Sequence, residues 1–355
     1  MIKAGKKEEA FIIAQSHDLM YTYSEIINKL DPHNQSENSR IAQYFEGKNQ
    51  WGKAAIHYDK CDNPSKALKL FFQAGESYLD DAISMVGRLN NETLTNQMVD
   101  YLMGESDDNS KVPIYTLKLY KALGSPDQMI KIALHISNSE QESGNYKNAH
   151  QVLFEIYKTL KEDGQLIPYE FAEKLYVLHC YILAKKIIKA GDHLLASKLL
   201  VKVCQHISLF QKHAVPILTT TVVECSKSGL KVQAYEWATV LIRAEYRSGI
   251  NEKYKKKIED IARKPQKSED SQEKSTPCPF CKNMIWEFDL NCNSCKNRIP
   301  FCITSGKHMI LNEWGKCPHC NLPMIVEECK KVLDIEPTCP MCDHELHSNA
   351  ISRVI

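Results

Sequence analysis

Eight cysteines near the end of the chain occur as four Cys-x-x-Cys pairs, and this pattern limits the possible folds more than any other feature. The pairs are Cys278/Cys281, Cys292/Cys295, Cys317/Cys320 and Cys339/Cys342. A Cys-x-x-Cys turn, here called a knuckle, points two thiolates at one position, so two knuckles complete a tetrahedral Zn2+ site. Four knuckles therefore predict two zinc ions with four cysteine ligands each.

The predicted role of these ions is structural. The stretch from Cys278 to Cys342 contains too few apolar residues for a stable core, and a structural zinc contributes roughly 10–16 kcal/mol of binding. Four thiolates also leave no coordination position for an activated water, which argues against catalysis. Of the fourteen cysteines, ten lie in this stretch. The chain shows no apolar signal core at its start, so reduced thiols and metal are expected rather than disulfides.

Spacing alone leaves open which knuckles share an ion. Sequential pairing joins the first knuckle to the second and the third to the fourth, as in two zinc ribbons in series. Cys302 and His308 also allow a RING-type cross-brace. Its ligand sets would be Cys278, Cys281, Cys302 and His308, and then Cys292, Cys295, Cys317 and Cys320. Cys339 and Cys342 would then need further ligands, such as His344 and His347. We favour sequential pairing because it uses every knuckle, with His308 as a packing residue and His319 exposed.

The residues before the cysteines predict an all-α fold. Apolar residues recur at helical spacing from Ala10 to about Lys264, and segments such as 63–74 open with an Asn cap and a proline. A weak Gly-x4-Ala frame recurs at Gly144/Ala149, Gly191/Ala196 and Gly229/Ala234; Asn49/Ala54 and Asp62/Ala67 fill it without the glycine. Such spacing is typical of stacked two-helix repeats.

The predicted architecture has three parts. Residues 1–264 form an α-solenoid of degenerate tetratricopeptide-like hairpins, and 265–277 form a flexible linker rich in polar residues. Residues 278–348 form the double zinc-ribbon, RING-like module. The polar stretch 104–110 is expected to be a surface connection.

Charge and motifs exclude several functions. The net charge is +1, and residues 278–355 carry eight Lys or Arg against nine Asp or Glu, whereas a phosphate-binding surface needs excess positive charge. We therefore expect protein partners and no nucleic acid. No apolar run is long enough to insert in a membrane, and no phosphate loop, dinucleotide fingerprint or hydrolase motif is present. A non-enzymatic protein is expected.

The tail resembles a known family. The motifs are Cys278-Pro-Phe-Cys281, Leu290-Asn-Cys292-Asn-Ser-Cys295, Ile299-Pro-Phe-Cys302-Ile-Thr-Ser-Gly-Lys-His308-Met, Trp314-Gly-Lys-Cys317-Pro-His-Cys320 and Cys339-Pro-Met-Cys342. They resemble the C-terminal cysteine module of the WD-repeat and tetratricopeptide subunits of intraflagellar transport complex A. The hairpins Trp51–Tyr58 and Lys66–Phe71 are similar in kind to the solenoids of that family.

The resemblance implies a scaffold of the ciliary transport train. Its partners would be other subunits of complex A and adaptors of ciliary membrane cargo, and its location the cytoplasmic side of the axoneme and basal body region. Retrograde transport, cilium assembly and the entry of membrane cargo would be its processes. Family members begin with β-propellers, whereas Met1 here leads straight into a helical pattern, so propeller functions are not carried over.

Two functions are alternatives to a ciliary transport subunit. They are a RING-like ubiquitin ligase subunit and a vesicle coat or tethering subunit.

Overall fold

The structure is a computed structural model that describes residues 6–104, 112–265, 275–310, 314–334, 336–347 and 351–353. The chain divides into two compact units, residues 1–132 and 133–355. Most of the predicted linker 265–277 and of the polar connection 104–110 lies outside the described residues. Among the described residues, no helix is both long and apolar enough to cross a bilayer.

Helices that pack on their neighbours in sequence build the first unit. They are α1 (Lys7–Ser16), α2 (Met20–Leu30), α3 (Gln35–Gly47), α4 (Trp51–Lys60), α5 (Pro64–Ala74), α6 (Leu79–Leu89), α7 (Glu92–Gly104) and α8 (Val112–Ala122). The helix α9 (Pro126–Glu142) runs across the division between the units. One continuous apolar core, which includes Ile41, Leu68 and Val86, joins the helices of this unit. The apolar residues that recur at helical spacing in the sequence therefore form the face that each helix buries.

The second unit contains the remaining helices and all the described strands. The helices are α10 (Tyr146–Glu162), α11 (Tyr169–Ala190), α12 (His193–Gln205), α13 (Ala214–Ser228), α14 (Lys231–Leu241), α15 (Ala244–Arg247), α16 (Glu252–Ala262) and α17 (Val326–Leu333). The strands are β1 (Ser275–Pro277), β2 (Met284–Trp286), β3 (Trp314–Lys316), β4 (Pro323–Ile325) and β5 (Ser352–Arg353). Antiparallel β1 and β2 form one small sheet, and a second has the order β4-β3-β5.

The Gly-x4-Ala frame marks the turns between helices. Gly191 and Gly229 cap α11 and α13 in the left-handed conformation, with φ of 86° and 83°. Asn49 and Asp62 take the same position with φ of 58° and 57°, because Asn and Asp tolerate this conformation better than other residues with a side chain. The five alanines of the frame are all buried: Ala54, Ala67, Ala149, Ala196 and Ala234. A small residue there lets the second helix of each hairpin approach the first.

The all-α class with a helical solenoid and a small cysteine module is confirmed. The predicted cap is also present, because the Asn63 side chain accepts a hydrogen bond from the Lys66 backbone and Pro64 opens α5. The tetratricopeptide character of the hairpins and the boundaries 1–264, 265–277 and 278–348 stay predictions. Within the predicted linker, residues 275–277 form β1, which pairs with β2 across the first knuckle.

Candidate metal centre

Each Cys-x-x-Cys knuckle has the same backbone geometry. In the first, the Cys278 N–H donates to the Asn283 carbonyl and the Lys282 N–H donates to the Cys278 carbonyl, both at 2.9 Å. Lys282 follows the second cysteine with φ of 65°, which closes the loop tightly enough to turn both sulfurs to one side. The equivalent residues of the other three knuckles also have positive φ: Lys296, Asn321 and Asp343. None of these four residues is glycine, so sequence alone gave little sign of the conformation.

Within the described residues, the eight predicted ligands come together in two groups of four. The groups are Cys278, Cys281, Cys292 and Cys295, and Cys317, Cys320, Cys339 and Cys342, with all sulfurs of a group within 4.8 Å of one another. The grouping is sequential. The cross-brace alternative requires Cys302 and His308 as ligands, and neither residue belongs to either group.

The sulfur spacing fits a tetrahedral metal ion. With Zn–S bonds of about 2.3 Å, the edge of the sulfur tetrahedron is about 3.8 Å. In the first group the Cys278–Cys295 and Cys281–Cys292 Sγ distances are 3.9 and 3.5 Å. In the second group the distances Cys317–Cys342 and Cys320–Cys339 are both 4.0 Å. Each group could therefore hold one ion with little rearrangement.

Hydrogen bonds within each group lower the pKa of some thiols and raise the pKa of others. The Cys295 backbone N–H donates to Cys292 and lowers the pKa of that thiol to about 6. In the second group, a hydrogen bond from Cys320 lowers the pKa of the Cys317 thiol to about 6. Because metal binding needs deprotonated sulfur, these two thiols and that of Cys342, whose pKa is also lowered, are the first ligands available to a cation.

A fifth turn of the same kind occurs between the two groups, and the sequence analysis missed it. In this serine knuckle, Cys302–Gly306, the Cys302 N–H donates to the Lys307 carbonyl at 2.7 Å and the Gly306 N–H to the Cys302 carbonyl at 2.8 Å. Ser305 stands where the other knuckles have their second cysteine, and Gly306 has φ of 72°. The missing cysteine hid the repeat, although Cys-x-x-Ser-Gly matches the spacing of the other four turns.

The two residues of the cross-brace alternative make other contacts. The Cys302 sulfur accepts the Ile325 backbone N–H at 3.1 Å. His308 is fully buried, with Nε2 at 2.6 Å from the Thr276 hydroxyl and Nδ1 at 3.1 Å from the Trp286 carbonyl. Because a carbonyl only accepts, Nδ1 carries the proton and donates to Trp286. His308 thus has a packing role, as the sequential reading expected, and His319 lies exposed.

The serine knuckle docks on α11 through its backbone carbonyls. The Tyr176 hydroxyl donates to the Gly306 carbonyl at 2.8 Å, and His179 Nε2 lies 2.7 Å from the Ile303 carbonyl. Nε2 must therefore carry the proton, and Nδ1 of the same ring accepts from His150 at 3.3 Å. Burial raises the pKa of Tyr176 and lowers the pKa of His179 to about 4, so both side chains stay neutral donors.

A buried ion cluster holds the first sheet to α12. Glu287, with a side chain 3% exposed, lies 2.5 Å from Lys198 and 3.4 Å from Lys307. Lys307 also reaches Glu328 of α17 at 3.0 Å. Burial of this ion cluster has a desolvation cost that the close contacts offset, so removal of either lysine would destabilise the docked sheet.

Known proteins similar to this chain match almost all of it. WD repeat-containing protein 19 of Mus musculus is 44% identical over 350 residues, which is 98% of this chain and 26% of that protein. The Homo sapiens protein of the same name is 44% identical over 358 residues, or 100% of this chain. WD repeat-containing protein dyf-2 of Caenorhabditis elegans is 36% identical over 291 residues. The chain belongs to this family.

The chain spans about a quarter of the length of these relatives and matches a C-terminal portion of them. The resemblance inferred from the tail motifs is thereby confirmed. No protein-family model matches the chain.

We expect Gly306→Ala to loosen the docked module. An added Cβ would lie 2.5 Å from Leu199 Cδ2, and φ of 72° disfavours a side chain as well. The matched control is Gly191→Ala, with φ of 86° and no atom within 4 Å of the added carbon. The control should lower the free energy of unfolding by about 1–2 kcal/mol and Gly306→Ala by about 1–3 kcal/mol more, as urea denaturation would measure. Equal losses would contradict the docking.

We expect the second unit to lose stability in mild acid because of His179. The ring has a pKa of about 4 when folded and 6.5 when unfolded. Its contribution to the free energy of unfolding is therefore complete about one pH unit above 6.5 and declines as the pH falls through 6.5 toward 4. Between pH 7.5 and 6 the loss is about 0.8 kcal/mol. His179→Gln retains an N–H donor without titrating, so this part of the pH dependence should be absent from its urea denaturation series.

Proposed function

We propose that the chain is a C-terminal part of a scaffold subunit of intraflagellar transport complex A. It works through protein contacts on the cytoplasmic side of the cilium, without enzymatic activity. The observation that carries the proposal is the 44% identity with WD repeat-containing protein 19 over the whole chain. Retrograde transport and the entry of membrane cargo are the processes it supports.

The cysteine module is proposed to hold two structural Zn2+ ions. The tetrahedral sulfur spacing and the lowered pKa values of Cys292 and Cys317 support this assignment. All-sulfur donor sets suit zinc, and four such ligands leave no open position for catalysis. The ions would keep the knuckles in the shape that presents the serine knuckle to α11.

Partners of the chain are proposed to be other subunits of complex A and, through them, adaptors of membrane cargo. The near-balanced charge of residues 278–355 supports protein partners over nucleic acid. The rival function of a RING-like ubiquitin ligase needs metal ligands from alternate knuckles. The sulfur groups instead join neighbouring knuckles, which argues against this function. A vesicle coat or tethering subunit would share the physical features of this chain, so family similarity is what favours ciliary transport.

Metal content tests the ligand assignment directly. We expect two zinc ions per chain in the purified protein and one after Cys292→Ser, because the first sulfur group would be incomplete. Cys302→Ser is the matched control: it alters a cysteine of the same module that lies outside both groups, and it should retain two ions. Inductively coupled plasma mass spectrometry gives the stoichiometry. Loss of one ion from the Cys302 variant would favour the cross-brace.

Co-purification tests the function. The chain expressed with an affinity tag in ciliated cells should recover other complex A subunits, identified by mass spectrometry. Recovery should fall for Cys317→Ala if the zinc-held module supports the contact. Recovery of no transport subunit by the unaltered chain would contradict the proposal. Autoubiquitination abolished by the same variant would instead favour the ligase.

A further inference from the structure

A groove in the second unit lies between the helices and the cysteine module. Its volume is about 470 Å3, and α10, α11 and the third and fourth Cys-x-x-Cys turns contribute to its walls. Its apolar lining includes Leu175, Leu290, Ile299, Phe301, Leu322 and Met341. These side chains belong to segments far apart in sequence, so the groove exists only when the module is docked.

All the charged side chains that line this groove are positive. Lys161, Arg298 and Lys316 line it, and no Asp or Glu does among the described residues. Arg298 lies 5.1 Å from the Tyr169 ring in a cation–π contact. Lys161, Arg298 and Lys316 have no carboxylate partner within the part of the chain that the structure describes. The module carries slightly more acidic than basic residues, so this clustering of cations does not follow from its composition.

Exposed apolar side chains at the edge of the groove point to a missing partner. Leu166 precedes Ile167 of the groove and is 94% exposed, and Tyr169 is 51% exposed. Large exposed apolar side chains beside a groove are typical of interaction sites.

We propose that this groove binds a peptide segment of another protein that has an apolar side chain flanked by carboxylates. The apolar side chain would enter between Leu175, Phe301 and Leu322, and the carboxylates would pair with Arg298 and Lys316. An anion alone would leave the apolar lining in contact with water, and a purely apolar ligand would leave the cations unpaired.

This inference rests on the proposed function in one respect, that the chain acts through protein contacts. It adds the surface and the chemistry of the partner. A partner bound here would contact helices and cysteine module together, so its affinity would depend on the docked arrangement.

The test uses the zinc-loaded full chain and a fluorescein-labelled peptide, Gly-Asp-Glu-Phe-Glu-Asp-Gly. Fluorescence anisotropy should show saturable binding that Arg298→Glu or Lys316→Glu weakens about tenfold each, as expected for charge-assisted hydrogen bonds. Lys256→Glu is the matched control, since it reverses an exposed lysine that does not line the groove, and it should change the affinity less than twofold. Peptides with Ser for Phe, or with amides for all carboxylates, should bind at least tenfold more weakly.

Several results would overturn the proposal. Equal binding by the Arg298 and Lys256 variants would show that general charge attraction explains the affinity. Equal binding of the Phe and Ser peptides would show that the apolar lining is not used. Self-association in sedimentation that Arg298→Glu abolishes would assign the groove to a second copy of the chain instead.

Co-purification separates this inference from the proposed function. If the inference is correct, Arg298→Glu loses at least one complex A subunit that the unaltered chain and Lys256→Glu both recover. Identical recovery by all three would contradict the inference while the proposed function holds. Recovery of none by the unaltered chain would contradict the proposed function itself.

Discussion

The contact between the serine knuckle and α11 determines the arrangement of the second unit. Tyr176 and His179 each donate to a carbonyl of this turn, at 2.8 and 2.7 Å, and all the groups involved are buried. A buried carbonyl without a donor costs about 1–3 kcal/mol, so a misaligned module would lose both bonds and still exclude water from both carbonyls. The geometry therefore strongly favours one register between module and helix.

The cysteine groups and the helices together determine the structure of this unit. The sulfur groups shape the knuckles, and the knuckle between them presents its backbone to α11, while Glu287 reaches Lys198 of α12. The contact also buries apolar surface, as where the Tyr176 ring packs on Phe301, and the polar bonds add direction to it. The groove with Arg298 and Lys316 is a product of the same docking.

Much of this arrangement was predictable because local spacing carries it. Helical periodicity predicted the class, the Gly-x4-Ala frame predicted the turns, and the use of all four Cys-x-x-Cys pairs favoured sequential sulfur groups over the cross-brace. The serine knuckle was not found because Ser305 replaces the cysteine that makes such a turn visible. The docking face was not found either. Tyr176, His179 and Cys180 read as ordinary apolar positions of a helix, and nothing local distinguishes a helix buried by a neighbouring helix from one buried by a cysteine module.

The sequence by itself determined the helical hairpins and the positions of the Cys-x-x-Cys pairs, since each depends on residues within a few turns or one short loop. Tertiary structure alone decided where the module sits. Contacts such as Tyr176 with Gly306 and Lys198 with Glu287 span 130 and 89 residues, and backbone carbonyls, which every residue has, accept the first. A pattern of side chains cannot specify a partner that is a main-chain oxygen. Folding brings that oxygen to its donor.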